Sequence, residues 1–159
     1  MESLGILDRL QRCIFWFLTV LACLMVVIGF MQVVWRYALE ASLYWSEEIL
    51  RYLYVWVIFL GISVGIRTRL HVAIDAFVGL LKGRAGYGVK MLVHSLTLAF
   101  FGLMTVIGAQ FTLHNLGQVS PAVRLPMSLV YSAIPLGGLF SLIFAVEEWI
   151  KARESGVSR

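Results

Sequence analysis

Four long apolar runs divide the chain, and polar residues gather between them. The runs predict membrane-spanning helices over 13–35, 46–66, 91–112 and 126–146. About 20 apolar residues cover a hydrocarbon core of about 30 Å, and each run meets that length or approaches it. No charged residue interrupts Cys13 to Val34. Trp35, Arg36 and Tyr37 close this first run with an aromatic and basic collar of the kind that sits at headgroup level. The second run is expected to start at Ser46 as N-cap, with Glu47 and Glu48 in the first turn at the positive end of the helix dipole. Arg51 lies four residues from Glu47 and three from Glu48, so an ion-pair cluster is expected, joined by Arg36 across the short connection.

Between the second and third runs the pattern changes. Leu70, Ile74, Phe77, Val78 and Leu81 fall on one helical side, and His71, Asp75 and Lys82 on the other. This predicts an amphipathic helix over about 70–82, too short in apolar length to span and suited to the membrane surface. Arg67, Arg69, His71 and Asp75 are the expected anchors there. In the fourth run, Ala133, Gly137, Ser141 and Ala145 recur every four residues and make a small-residue stripe. Gly61 and Gly65 make a GxxxG on the second run. Both are surfaces on which a helix can approach closely, either within the chain or from another subunit. Pro135 is expected to kink the fourth helix, leaving the Tyr131 carbonyl without its amide partner. Beyond Val146 the charged tail is expected to fray.

Composition agrees with this pattern. The chain has 159 residues, 60% hydrophobic and 14% charged, against about 25% charged in a soluble domain. The expected fold is all-α and integral to a membrane, a single domain of four spans. The net charge of +4 does not argue for nucleic acid, because the cations lie between apolar runs, where they set topology and meet lipid headgroups. Ten Lys and Arg residues lie at the N-terminus, in 67–90 and in the tail, whereas only Arg36, Arg51 and Arg124 fall on the other side. The positive-inside rule then places both termini in the cytoplasm. The first run is too long for a signal-peptide core and is expected to be retained. Cys13 and Cys23, ten residues apart on one helix, lie about 15 Å apart and cannot pair with each other.

Chemistry-bearing patterns are sparse. CxxC, HxxxH, HExxH and Gly-rich phosphate loops are absent from the sequence. His71 and His94 fall near one membrane face and His114 near the other, so haem ligation across the membrane centre is disfavoured. No cofactor, metal or enzymatic activity is expected. A self-sufficient four-span transporter working as a homodimer remains an alternative. It would be expected to carry a membrane-embedded acid in its first span, and this chain has none there.

The stretch Trp45 to Asp75 reads W-S-E-E, then Val55-Trp56, Leu60-Gly61, Arg67, His71 and Asp75. With Arg36-Tyr37 ahead of it, and Ser120-Pro121, Leu125-Pro126, Tyr131 and Pro135 behind it, this pattern resembles the small membrane subunit (DctQ type) of TRAP (tripartite ATP-independent periplasmic) transporters. The resemblance covers about residues 12 to 150. It implies a bacterial inner-membrane scaffold subunit that supports a large elevator-type membrane subunit. It also implies a periplasmic substrate-binding protein as partner, and sodium-driven import of organic anions such as C4-dicarboxylates, keto acids or sialic acid. On that reading Gly61, Gly65 or the Ala133–Ala145 stripe contacts the large subunit, and Glu40, Tyr44, Trp45 and Arg124 help dock the binding protein.

Overall fold

The computed structural model describes residues 2–41, 43–68 and 84–157. Among these residues five helices appear in chain order: α1 (Glu2–Ala38), α2 (Tyr44–Arg67), α3 (Arg84–His114), α4 (Met127–Tyr131) and α5 (Ala133–Val157). Four segments are long and apolar enough to cross a membrane: Gly5–Ala38, Tyr44–Arg67, Gly86–His114 and Met127–Arg153. The expected amphipathic helix over 70–82 lies outside the described residues, as do Arg69, His71 and Asp75.

The helices outrun the apolar runs that announced them. With 37 residues, α1 is about 55 Å long at 1.5 Å per residue, well beyond a hydrocarbon core of about 30 Å. Helix α5 continues through the charged tail to Val157, so the fraying expected after Val146 is corrected. The reason is Glu147, whose side chain is buried and bonded rather than solvated. At the start of α2 the cap position is Leu43, without a side-chain bond, and Ser46 lies inside the first turn. Ser46 is fully buried and donates its hydroxyl to the Leu43 carbonyl at 2.7 Å, so it is not the N-cap.

The helices pack in a row. Helix α1 lies on α2, α2 on α5 and α5 on α3, and α4 touches α2, α3 and α5. Two adjacent glycines put α5 in the middle. A Cβ on Gly137 would stand 2.6 Å from the Phe59 carbonyl oxygen of α2. A Cβ on Gly138 would stand 2.7 Å from Thr105 Oγ1 of α3. Neighbouring residues on a helix point about 100° apart, so one glycine admits α2 and the next admits α3. Lipid gives helices no hydrophobic reason to associate, so this close van der Waals approach is what joins them. Gly108 of α3 answers from the other side, its Cβ direction closed by Ile134 and Pro135.

Ala133, Ser141 and Ala145 are buried beside Gly137, so the small-residue stripe is an internal seam. The core of Ile14, Leu60, Ile66, Phe101, Phe144 and Ala145 draws on all four long helices. Pro135 acts as expected. The helix is interrupted at Ser132 between α4 and α5, and the Ser132 carbonyl takes the Leu136 amide at 3.2 Å. The threonine hydroxyls of α3 are met locally, whereas Ser141 Oγ in α5 is buried without a hydrogen-bond partner among the described residues. Thr97, Thr105 and Thr112 each donate to the carbonyl four residues earlier, at 2.7–2.9 Å.

Candidate functional site

Among the described residues, the polar side chains that bond beyond their own helix gather at the two ends of α2. At its first turns is Glu48, only 8% exposed. Its Oε2 accepts the backbone N–H groups of Ala122 at 3.0 Å and Val123 at 2.8 Å, and its Oε1 accepts the Tyr52 hydroxyl at 2.5 Å. Tyr52 also reaches Met127 Sδ at 3.4 Å. Burying a lone carboxylate is costly. Three donors to the charged form offset that cost.

The loop that supplies the two amides is a closed hairpin. Ser120 N–H donates to the Leu125 carbonyl at 2.9 Å, Leu125 N–H to Ser120 Oγ at 3.1 Å, and Met127 N–H to the Gln118 carbonyl at 2.8 Å. Val119 and Pro126 form an antiparallel bridge. Arg124 sits between these bonds with φ +57°, a left-handed conformation unfavourable for a residue with a Cβ.

At the other end of α2 is Arg67. Its Nε donates to Glu147 Oε2 at 2.8 Å. Its Nη1 donates to the Leu7 carbonyl at 2.9 Å and to Gln11 Oε1 at 2.6 Å. Its Nη2 donates to Asp8 Oδ1 at 2.5 Å and to Glu147 Oε1 at 3.3 Å. A guanidinium has five N–H donors, and here five bonds use them. The charge lies 5.4 Å from the Phe144 ring centroid. The Arg67 and Glu147 side chains are 7% and 6% exposed, while Asp8 is 60% exposed. Lys151 completes the group, donating to Glu147 at 2.8 Å and Glu148 at 3.1 Å. One residue thus ties α1, α2 and α5 together.

The expected outer cluster of Arg36, Glu47, Glu48 and Arg51 does not assemble. Among the described residues, the ion pairs are those of Arg67 and Lys151. Glu48 turns into the protein to meet backbone amides 74 and 75 positions away, and Glu47 and Arg51 stay exposed. A buried carboxylate gains more from fixed amide donors than from a mobile, solvated guanidinium. Arg36, Glu40, Tyr44, Trp45 and Arg124 are all exposed, Glu40 also at positive φ (+48°). Asp8, Gln11 and Glu147, which complete the Arg67 group, carry no motif. The only sequence signal for Glu147 is a lysine four residues later.

A Cβ on Gly61 would meet nothing within 4 Å, so that glycine faces away from the row. Gly61-Ile62-Ser63-Val64-Gly65 also spells GxSxG, the pattern of a nucleophile elbow. An elbow exposes its serine on a strand-to-helix turn. Here Ser63 is fully buried within α2 and donates to the Leu60 carbonyl at 2.6 Å. The groups at both ends therefore fix helices and a loop against one another.

Residues 25–154 match the family described as tripartite ATP-independent periplasmic transporters, DctQ component. A C4-dicarboxylate TRAP transporter small permease protein, DctQ, from Rhodobacter capsulatus is 36% identical over 60% of this chain and 43% of its own length. The chain thus spans less than half of that relative. A putative TRAP transporter small permease protein from Haemophilus influenzae is 30% identical over 73% of this chain and 72% of its own length. A sialic acid TRAP transporter permease protein, SiaT, from another Haemophilus influenzae strain is 32% identical over 66% of this chain but only 17% of its own length. With a family match over most of its length and four helices able to cross a membrane, the chain belongs to the DctQ family of TRAP transporter small permease components.

Proposed function

We propose that this chain is the fixed, non-transporting small subunit of a binding-protein-dependent importer in the bacterial inner membrane, with both termini in the cytoplasm. It supports a large elevator-type permease that carries the substrate, an organic anion, under a sodium gradient. The Glu48 end faces the periplasm and the Arg67 end the cytoplasm. The observation that carries the pairing is the SiaT relative, in which a stretch like this chain makes up only 17% of a much longer permease. In keeping with a supporting role, the charges that meet at helix ends hold helices in place.

The face offered to the large permease is the open side of α2. Tyr44, Arg51, Tyr54 and Ile58 are exposed along it at spacings of three, four and seven. Gly61 and Gly65 continue the line, the Gly61 Cβ direction being empty. Anchoring at the cytoplasmic surface by Arg69, His71 and Asp75, and lipid contact along α1 and α3, belong to the same proposal.

Co-expression tests it. The tagged chain should retain a large permease through detergent purification, and the reconstituted pair should accumulate the substrate of its binding protein only with that protein and an inward sodium gradient. Uptake by the large permease alone at the full rate would overturn the supporting role. Uptake by this chain alone would overturn the whole reading.

A further inference from the structure

We infer that Glu48 is a positioning residue for docking. Its carboxylate holds the 118–127 hairpin in the conformation that presents Arg124 to an acidic patch on the soluble binding protein. The inference rests on the proposed function, and goes beyond it by assigning the contact and the residue that orders it.

Three observations meet at this loop. First, Arg124 is the only charged residue between His114 and Glu147, so the hairpin shows a single formal charge, and it is positive. Second, that charge is exposed, and among the described residues the ion pairs lie elsewhere, at Arg67 and Lys151. An exposed cation at the tip of an ordered loop is suited to meet an acidic surface on a partner protein. Third, the backbone on both sides of Arg124 is pinned. The two preceding N–H groups end on Glu48, and the following N–H ends on Ser120 Oγ.

A residue with a Cβ enters φ +57° only where its surroundings impose it. Here the imposing group is a carboxylate buried in α2, some 75 residues away in sequence. A loop ordered beforehand loses little freedom when it binds, which raises affinity without a new contact. Two exposed charges meeting across an interface also steer encounter and make it salt-dependent.

The alternative is that Glu48 merely seals the end of the helices. A double-mutant cycle on the assembled complex separates the two, with binding of the fluorescently labelled soluble protein of the same system as readout. Arg124→Ala should weaken binding about tenfold, a typical loss for one interface contact. Glu48→Gln, which keeps the shape but loses the charged acceptor, should weaken it by a similar factor. The double variant should bind no worse than Arg124→Ala alone, because Glu48 acts through Arg124. Amide exchange at Ala122 and Val123 should quicken in Glu48→Gln while the complex stays intact.

Unchanged affinity in Glu48→Gln, or losses that multiply in the double variant, would overturn the inference and leave docking itself standing. Unchanged affinity in Arg124→Ala would overturn the contact. If Glu48→Gln fails to assemble, Tyr52→Phe and Ser120→Ala loosen the same loop more gently, and each should show the same non-additivity with Arg124→Ala. A wild-type complex that does not bind the soluble protein at all would remove the proposed function itself.

Discussion

Replacing Gly137 with alanine adds one methyl group at the closest approach in the fold. The new Cβ would lie 2.6 Å from the Phe59 carbonyl oxygen, 2.8 Å from its carbonyl carbon and 2.8 Å from its Cβ. Two of these atoms are backbone in the middle of α2, so no rotamer change removes the clash. Going from 2.6 Å to an ordinary contact of 3.4 Å moves α5 from α2 by roughly 0.8 Å. A gap of about 0.5–1 Å forfeits a quarter to a half of each dispersion contact along the seam. Overpacking of this kind costs about 1–3 kcal/mol, and alanine returns up to about 1 kcal/mol in helix propensity. The net expectation is a loss of about 1–2 kcal/mol. Gly61→Ala is the control on the same pair of helices: its Cβ meets nothing within 4 Å, so only the propensity gain remains. Thermal unfolding of the purified chain in detergent, followed by tryptophan fluorescence, should show Gly137→Ala melting below wild type and Gly61→Ala at or above it. A Gly137→Ala chain as stable as wild type would refute the internal seam.

Further consequences concern the two ends of α2 and its open face. Arg67→Met leaves Glu147, 6% exposed, with Lys151 and Glu148 as neighbours, and should destabilise the chain by about 3 kcal/mol, as loss of one partner of a buried pair does. Arg67→Met combined with Glu147→Leu should recover most of that loss in the same melt; a double variant weaker than the single would contradict the buried-pair account. Asp8→Asn should cost well under 1 kcal/mol by comparison, because that carboxylate is 60% exposed. Gly61→Leu should leave the melting of the isolated chain within about 0.5 kcal/mol of wild type yet reduce co-purification of the large permease, and undiminished co-purification would remove α2 from that interface.

The four spans were legible because each needs only an apolar run of bilayer length, a property of the local sequence. Pro135 was legible for the same reason, since its ring and missing N–H act within one turn. The order of the helices was not. In lipid both the packed and the exposed faces of a helix are apolar, so periodicity does not say which face meets protein. The small-residue stripe narrowed the choice without naming the partner. The structure names it as α2, through Phe59 against Gly137. Glu48 shows the limit most clearly. Its neighbours in sequence favour Arg51, one turn away, whereas the carboxylate is taken by two amides of the loop that follows α3. Arg67 likewise finds Asp8 and Glu147 at separations of 59 and 80 residues. Such pairs are set by which helix ends the fold brings level, and no local rule states that.

Both ends of one helix are therefore held, and by different means. At the Arg67 end, bonds run sideways to α1 and to α5, so sliding α5 past α2 separates buried opposite charges, and sliding α1 breaks the bonds from Arg67 to Leu7, Asp8 and Gln11. At the Glu48 end, the bonds run to the connection between α3 and α4, so α2 cannot shift along its axis without pulling two amides from a buried carboxylate. Between them the two helices approach closely, with Gly137 against the Phe59 backbone. Rigidity thus comes from the polar ends and proximity from the small residues at the centre. A chain in which both ends of the middle-lying α2 are locked, while its outward line from Tyr44 to Gly61 stays open, is suited to stand still beside a partner that moves.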